Sequence, residues 1–221
     1  MKKLLCIFCI FILLPFFAFS DENFYKNEIN SEIFAKIKGK SYKDNCLMPL
    51  NDLNYIHILH IDMEGRVHEG EMICNKGIAD DLLEIFKALY EAKYPIERVR
   101  LVDEYNADDE TSMSANNSSC FNYRTISGTN KISMHGRGLA VDINPLYNPY
   151  HLVKDNGDVH IEPAGGAAYL DRTKSYDYKI EPDDLCVKLF KAHGFDWGGD
   201  WVRSGYKLYK DYQHFQKEIS K

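Results

Sequence analysis

The sequence predicts a single-domain α+β fold, an antiparallel sheet with helices packed on one side, on three observations. Residues 56–63 are rich in β-branched side chains, Glu64-Gly65-Arg66 follows as a turn, and residues 67–74 resume the pattern, which reads as a β-hairpin. Ile78, Leu82, Phe86 and Leu89 recur at helical spacing. Residues 139–144 alternate, with Leu139, Val141 and Ile143 on one face and Ala140, Asp142 and Asn144 on the other. Runs of strands mixed with separate helices argue for α+β.

Taken from the N-terminus, the chain opens on Lys2 and Lys3, an apolar run over residues 4–19, and small residues at Ala18 and Ser20 before acidic Asp21 and Glu22. This is the pattern of a secretory signal peptide, residues 1–20, cleaved after Ser20. The apolar run is shorter than the roughly 20 residues of a spanning helix and is interrupted by Pro15, which disfavours an uncleaved anchor. Neither Cys6 nor Cys9 follows the small residue that a lipid-attachment site would want. No second apolar run is long enough to cross a bilayer, so no stable membrane span is expected after cleavage. The expected address is exported, periplasmic or secreted.

About 200 residues remain, which suits one domain with a sizeable core. Losing Lys2 and Lys3 leaves the chain two units more negative than its formal −6. An acidic protein binds nucleic acid phosphates poorly, so no nucleic-acid partner is expected; a monomer is. Of the six cysteines, Cys46, Cys74, Cys120 and Cys186 outlast the leader. An even set in an exported protein predicts disulfides, with three possible pairings, and four buried free thiols are the alternative. None is spaced as C-x-x-C, so a cysteine zinc site is not expected.

Residues 21–50 read as an N-terminal arm with a short helix over 31–38, and residues 51–221 as the main domain. His57, His60 and His68 lack ligand spacing to an acidic partner and read as surface or satisfied strand histidines. The helix over 78–92 ends before Pro95, residues 98–103 read as a strand, and residues 106–119 as a long polar loop of the kind that is often functional. Asn116 and Asn117 both match N-x-S, a pattern meaningful only in a eukaryotic secretory pathway. Residues 148–179 read as a long connection containing the turn-rich Pro163-Ala164-Gly165-Gly166. Pro182, at a first helical position, opens a helix that stops at Gly194.

The chemistry concentrates in Ser133-Met134-His135-Gly136-Arg137-Gly138-Leu139-Ala140-Val141-Asp142. Gly136 and Gly138 let the backbone turn sharply, so that His135 on the turn and Asp142 on the strand face one metal ion. A helix would also place positions 135 and 142 on one face, but two glycines and Pro145 disfavour it. His214 supplies a third ligand, and Asp211 lies three residues before it. On a regular strand that separation sends the two side chains to opposite faces, so a turn-like backbone is expected there. Three N/O ligands with the fourth position left to water is the arrangement of a catalytic zinc rather than a structural one. Asp211 would accept a proton from that water as general base. Singly, each residue has a plain structural role; together they read as a metallohydrolase.

The pattern S-x-H-x-x-G-x-A-x-D over Ser133 to Asp142, followed downstream by D-x-x-H at Asp211 to His214, resembles the D-alanyl-D-alanine peptidase family of zinc enzymes. That family includes D,D-carboxypeptidases, D,D-dipeptidases and L-alanyl-D-glutamate endopeptidases. The likeness extends to Phe121-Asn122-Tyr123-Arg124, Asp142-Ile143-Asn144-Pro145 and Trp197-Gly198-Gly199-Asp200-Trp201. It implies a zinc cleft on the open face of the sheet, with one catalytic zinc ion held by His135, Asp142 and His214. It further implies that Arg124 contacts a substrate carbonyl or carboxylate oxygen and stabilises the charge of the tetrahedral intermediate, and that Ser133 binds substrate or holds the ligand shell.

Two departures stand out. Many relatives carry Glu as the base, whereas Asp211 is one methylene shorter; Asp also occurs in the endopeptidase branch. Gln216 stands where an acidic residue would be common. The implied reaction is hydrolysis of amide bonds in peptidoglycan stem peptides, of D,D-carboxypeptidase or endopeptidase type. The alternative expectation is a non-catalytic, zinc-containing module that binds cell-wall peptide.

Overall fold

The computed structural model describes residues 22–126 and 129–219, and the leader expected at residues 1–20 lies outside them. The predicted hairpin is β2 (Leu53–Ile61) with β3 (Val67–Asn75), paired antiparallel from Leu53↔Asn75 to Ile61↔Val67. β1 (Tyr25–Glu28) pairs with the other edge of β2. Alternation sends Ile56, Ile58, Met72 and Cys74 into one core cluster and Leu53 and Ile73 into a second. α2 (Ala79–Glu91) adds Leu82, Ile85, Phe86 and Leu89 to the first cluster. Full burial of each such side chain contributes about 1.5–3 kcal/mol. The helix starts just past Asn75, whose side chain accepts from Gly77 N, and carries Asp80 and Asp81 where its dipole favours negative charge. In the second cluster α1 (Ser31–Ile37) buries Ile33 and Ile37, and Asn30 caps it by accepting from Ile33 N at 2.9 Å.

The first cluster runs on into the C-terminal half. β6 (Ala140–Asp142), β11 (His214–Gln216) and β9 (Asp196–Trp197) form a sheet in the order β6-β11-β9, and α4 (Leu185–Ala192) packs Val187 and Phe190 against Phe215 and Trp197. A third antiparallel sheet has the order β10-β7-β8, from β7 (Tyr150–Lys154), β8 (Val159–Glu162) and β10 (Tyr206–Asp211). β4 (Arg98–Val99) and β5 (Asn117–Ser118) make a short parallel pair. The class is therefore α+β with antiparallel sheets, as expected, but the strands are divided among three three-stranded sheets rather than gathered in one. No helix among the described residues is long and apolar enough to cross a membrane.

Several local expectations are corrected. The strand read over 98–103 stops at Val99, and Val102–Tyr105 is a 3-10 turn. The polar loop over 106–119 contains α3 (Asp109–Ser114), capped by Asp108 accepting from Thr111 N, and then β5. The connection over 148–179 holds β7 and β8. Pro182 lies before α4, whose cap is Asp184, not at its first position. The expected disulfides are absent among the described residues: Cys46, Cys74, Cys120 and Cys186 are free, and the last three pack inside the first core as small apolar side chains. Asn116 and Asn117 are fully buried, so the folded chain does not present either N-x-S site.

Candidate metal centre

His135 lies on a 3-10 turn, His135–Arg137, that ends at Gly138 with φ +66. A Cβ at Gly138 would stand 2.7 Å from Asn75 N, so this left-handed position and its close approach to the end of β3 both require glycine. The turn feeds β6, in which Asp142 stands directly opposite His214 of β11. Between Asp211, the last residue of β10, and His214, the first of β11, Tyr212 and Gln213 form the bend that the three-residue spacing demanded.

The structure brings the three expected ligands together. His135 Nε2 is 3.2 Å from Asp142 Oδ2 and from His214 Nδ1, and His214 Nδ1 is 3.2 Å from Asp142 Oδ1. Outer partners set the tautomers: His135 Nδ1 donates to Cys120 O at 2.7 Å, and His214 Nε2 donates to Gln216 Oε1 at 3.1 Å. The lone pairs of the other two ring nitrogens are left facing the carboxylate. Three such acceptors repel one another unless a positive charge sits among them. A tetrahedral zinc ion with bonds of about 2.0–2.1 Å spaces its ligands by about 3.3–3.4 Å, so donor set and spacing fit the ion. Among the described residues this is the one group with that geometry.

Electrostatics agree. Burial opposes charge on both His135 and Asp142, but their mutual attraction overcomes it, raising the imidazole and holding the carboxyl well below the usual range. Asp211 is close by, with Oδ2 4.0 Å from His214 Nδ1. Burial pushes its carboxyl up to about 7, against the pull of His214 and with a further push from Asp142 and Glu162.

Ser133 is buried beside the cluster, and its Oγ accepts from Gly136 N at 2.9 Å, which caps the ligand turn. Arg124 reaches the same cleft and is ion-paired with Asp109 at the start of α3. Asn122 links that pair to the turn: its Nδ2 donates to Asp109 Oδ1 at 2.7 Å and its backbone N–H to His135 O at 3.2 Å. Asp109 was missed in the sequence. The run Asp108-Asp109-Glu110 ahead of Thr111 is a helix-start signal that would have ordered this segment.

The cleft has a volume of about 750 Å³ and is lined by Arg124, Ile126, Thr129, Ser133 and Met134, by the His/Asp/His cluster and by the β10-β7-β8 sheet. That sheet was the other omission, although Asn156-Gly157 is a hairpin-turn signal. It supplies Tyr150, Glu162, Tyr209 and Asp211. The buried side-chain atoms without a hydrogen-bond partner among the described residues all belong to this neighbourhood: Asn122 Oδ1, Asp211 Oδ1, Gln213 Oε1, and Arg124 Nε, which meets Asp109 without hydrogen-bond geometry. Native interiors keep such groups few, and their concentration here marks a place built for a ligand.

An α+β fold whose cleft carries two histidines and an aspartate at metal-ligand spacing, with a partly buried carboxyl alongside, offers a candidate metal centre of the hydrolase type. Residues 127–217 match the family model described as D-alanyl-D-alanine carboxypeptidase, a likeness that agrees with the one its motifs carry. The matched stretch holds Ser133, His135, Asp142, Asp211 and His214, whereas Arg124 lies just before it. No curated protein and no solved structure matches the chain.

Proposed function

We propose that the protein is an exported zinc peptidase that hydrolyses amide bonds in peptidoglycan stem peptides, of D,D-carboxypeptidase or endopeptidase type. The observation that carries this reading is the partly buried Asp211 carboxyl beside three lone-pair ligands in an open cleft, within the stretch that matches a peptidase family. His135, Asp142 and His214 would hold the zinc ion. When bound, that ion supplies a Lewis acid and lowers the pKa of water towards about 7.

The remaining work falls to the chain. Asp211 takes a proton and returns it to the leaving amine, a task that suits a carboxyl raised towards neutrality by burial. Arg124 offers a planar fork of donors to the substrate carbonyl or carboxylate oxygen, and Asp109 fixes the direction of that fork. Ser133 holds the ligand turn through Gly136 and keeps its hydroxyl hydrogen for a neighbouring acceptor.

The test is incubation of the zinc-loaded protein with muropeptides, read by mass spectrometry. A defined fragment is expected from the wild type. Asp211→Ala should keep its zinc and lose turnover, whereas His214→Ala should lose both. Absence of product at every pH with zinc bound would refute the assignment, and muropeptide binding without cleavage would indicate a binding module instead.

A further inference from the structure

Gln213 is a buried residue of the cleft that neither the ligand set nor the proton transfer employs. The residue is 2% exposed. Nε2 donates to Glu162 O at 3.3 Å, and because a carbonyl accepts only from the amide nitrogen, this contact fixes which end of the group is oxygen. Oε1 then has no partner among the described residues, although Gln213 lines the cavity. A buried acceptor with no donor is costly to maintain, so its occupant has to come from outside the chain.

The surroundings identify the chemistry of that occupant. The Glu162 side chain lines the same cavity, and its one ionic partner among the described residues is His160, with Nε2 2.8 Å from Oε1. Glu162 and Asp211 are near enough for their charges to interact. Tyr150, Trp201 and Tyr209 add ring faces to this wall, and the Arg203 guanidinium already lies over Tyr206 and Tyr209 at 5.3 and 5.4 Å, so the wall accommodates a cation. The other cation of the wall, Lys154, is held by Asp158 at 3.5 Å. An amide oxygen, a carboxylate and ring faces on the lining of one cavity suit a group with several N–H donors and a positive charge.

We propose that Gln213 Oε1 and the Glu162 carboxylate form a subsite for an ammonium group of the substrate. The inference rests on the peptidase reading and adds to it that the preferred peptide carries a free amine. Arg124 then engages an oxygen of the substrate while Gln213 and Glu162 engage its amine, so a peptide enters in one direction.

The experiment compares kcat/KM of the zinc-loaded full chain on a stem peptide with a free α-amine and on its N-acetylated counterpart. The wild type should prefer the free amine by about tenfold or more, as loss of a charge-assisted hydrogen bond implies. Gln213→Leu and Glu162→Gln should each shrink that preference towards unity, chiefly through a higher KM for the free-amine peptide. Equal rates on the two peptides in the wild type, or a preference that survives both substitutions, would overturn the proposal. Glu162→Gln, at a half-exposed position, carries the test if Gln213→Leu fails to fold. If neither peptide is cut, the peptidase reading fails. The subsite is then judged by calorimetry: tighter binding of the free-amine peptide supports it, and equal affinity overturns it.

Discussion

Replacing Gln216 by leucine removes the acceptor that orients the His214 ring. Nε2 of that ring donates to Gln216 Oε1 at 3.1 Å, which keeps Nδ1 unprotonated and directed at Asp142 and His135. A neutral hydrogen bond of this kind contributes about 1 kcal/mol net, and loss of a ligand's outer partner typically weakens metal binding by about 10–100-fold. His214 is also packed against Trp201, with ring centroids 5.2 Å apart, so part of the orientation survives and the lower end applies. Gln216→Leu is therefore expected to weaken zinc binding about tenfold, or about 1.4 kcal/mol. Gln216→Glu should tighten it, because a charge-assisted bond is about twice as strong. Competition against a chromophoric chelator at fixed pH reads the affinity directly. At saturating zinc the leucine variant should also lose about 3–6 °C of the zinc-dependent rise in Tm. Leucine and glutamate variants that bind zinc as tightly as the wild type would refute the tautomer argument.

Three other outcomes follow from the geometry. In Gly198→Ala the new Cβ would stand 2.4 Å from Asp211 O and 2.7 Å from Asp211 Cβ, so the base must shift; we expect a loss of about 1–3 kcal/mol in urea unfolding and at least about a tenfold fall in turnover, and wild-type values for both would discredit this packing account. Asp109→Asn removes the partner of Arg124 at a pair about one-third exposed on each side, so stability should change by about 0–1 kcal/mol while kcat/KM falls about tenfold with zinc content intact; a loss of stability alone would mean that Asp109 merely supports α3. Burial, with the His68 and Arg100 charges, lowers His60 to about 4 against the pull of its bond to Ile96 O. The native state therefore refuses a proton that the unfolded chain accepts below about pH 6.5, and the protein should lose about 3 kcal/mol as pH falls from 6.5 to 4, a slope that His60→Gln should flatten in pH-dependent unfolding.

The parts of the site that were legible in the sequence are those with short-range signatures. His135, Asp142 and the bend at Asp211 to His214 follow from glycine placement and from the parity of side chains along a strand. Helix α2 and the β2–β3 hairpin were legible because their periods are clean. The β7–β8 hairpin was less so, because its strands are short and mostly half-exposed, so that beyond the Asn156-Gly157 turn little marks a buried apolar face. The helix-start run at Asp109 does not reveal its partner Arg124, Gln216 stands out only beside the family pattern, and Gln213 carries no local mark. Their positions depend on contacts such as Asn122 to Asp109 and Gln213 to Glu162, which span 13 and 51 residues. The cysteines misled for a related reason: parity of count says nothing about whether a thiol is wanted as a small apolar filler.

The register of β6 against β11 has a consequence for how the chain matures. His214 and Asp142, 72 residues apart, face the same cleft because they are paired across the sheet, and a slip of one residue would turn the histidine away from the cleft and towards the core. On the proposed reading, zinc capture would be a checkpoint on the docking of β11, since a mispaired chain would offer at most two of the three ligands. A chain that retained the ion would have passed that inspection, and metal content in a zinc-saturated preparation would measure the fraction of molecules whose β11 is correctly seated.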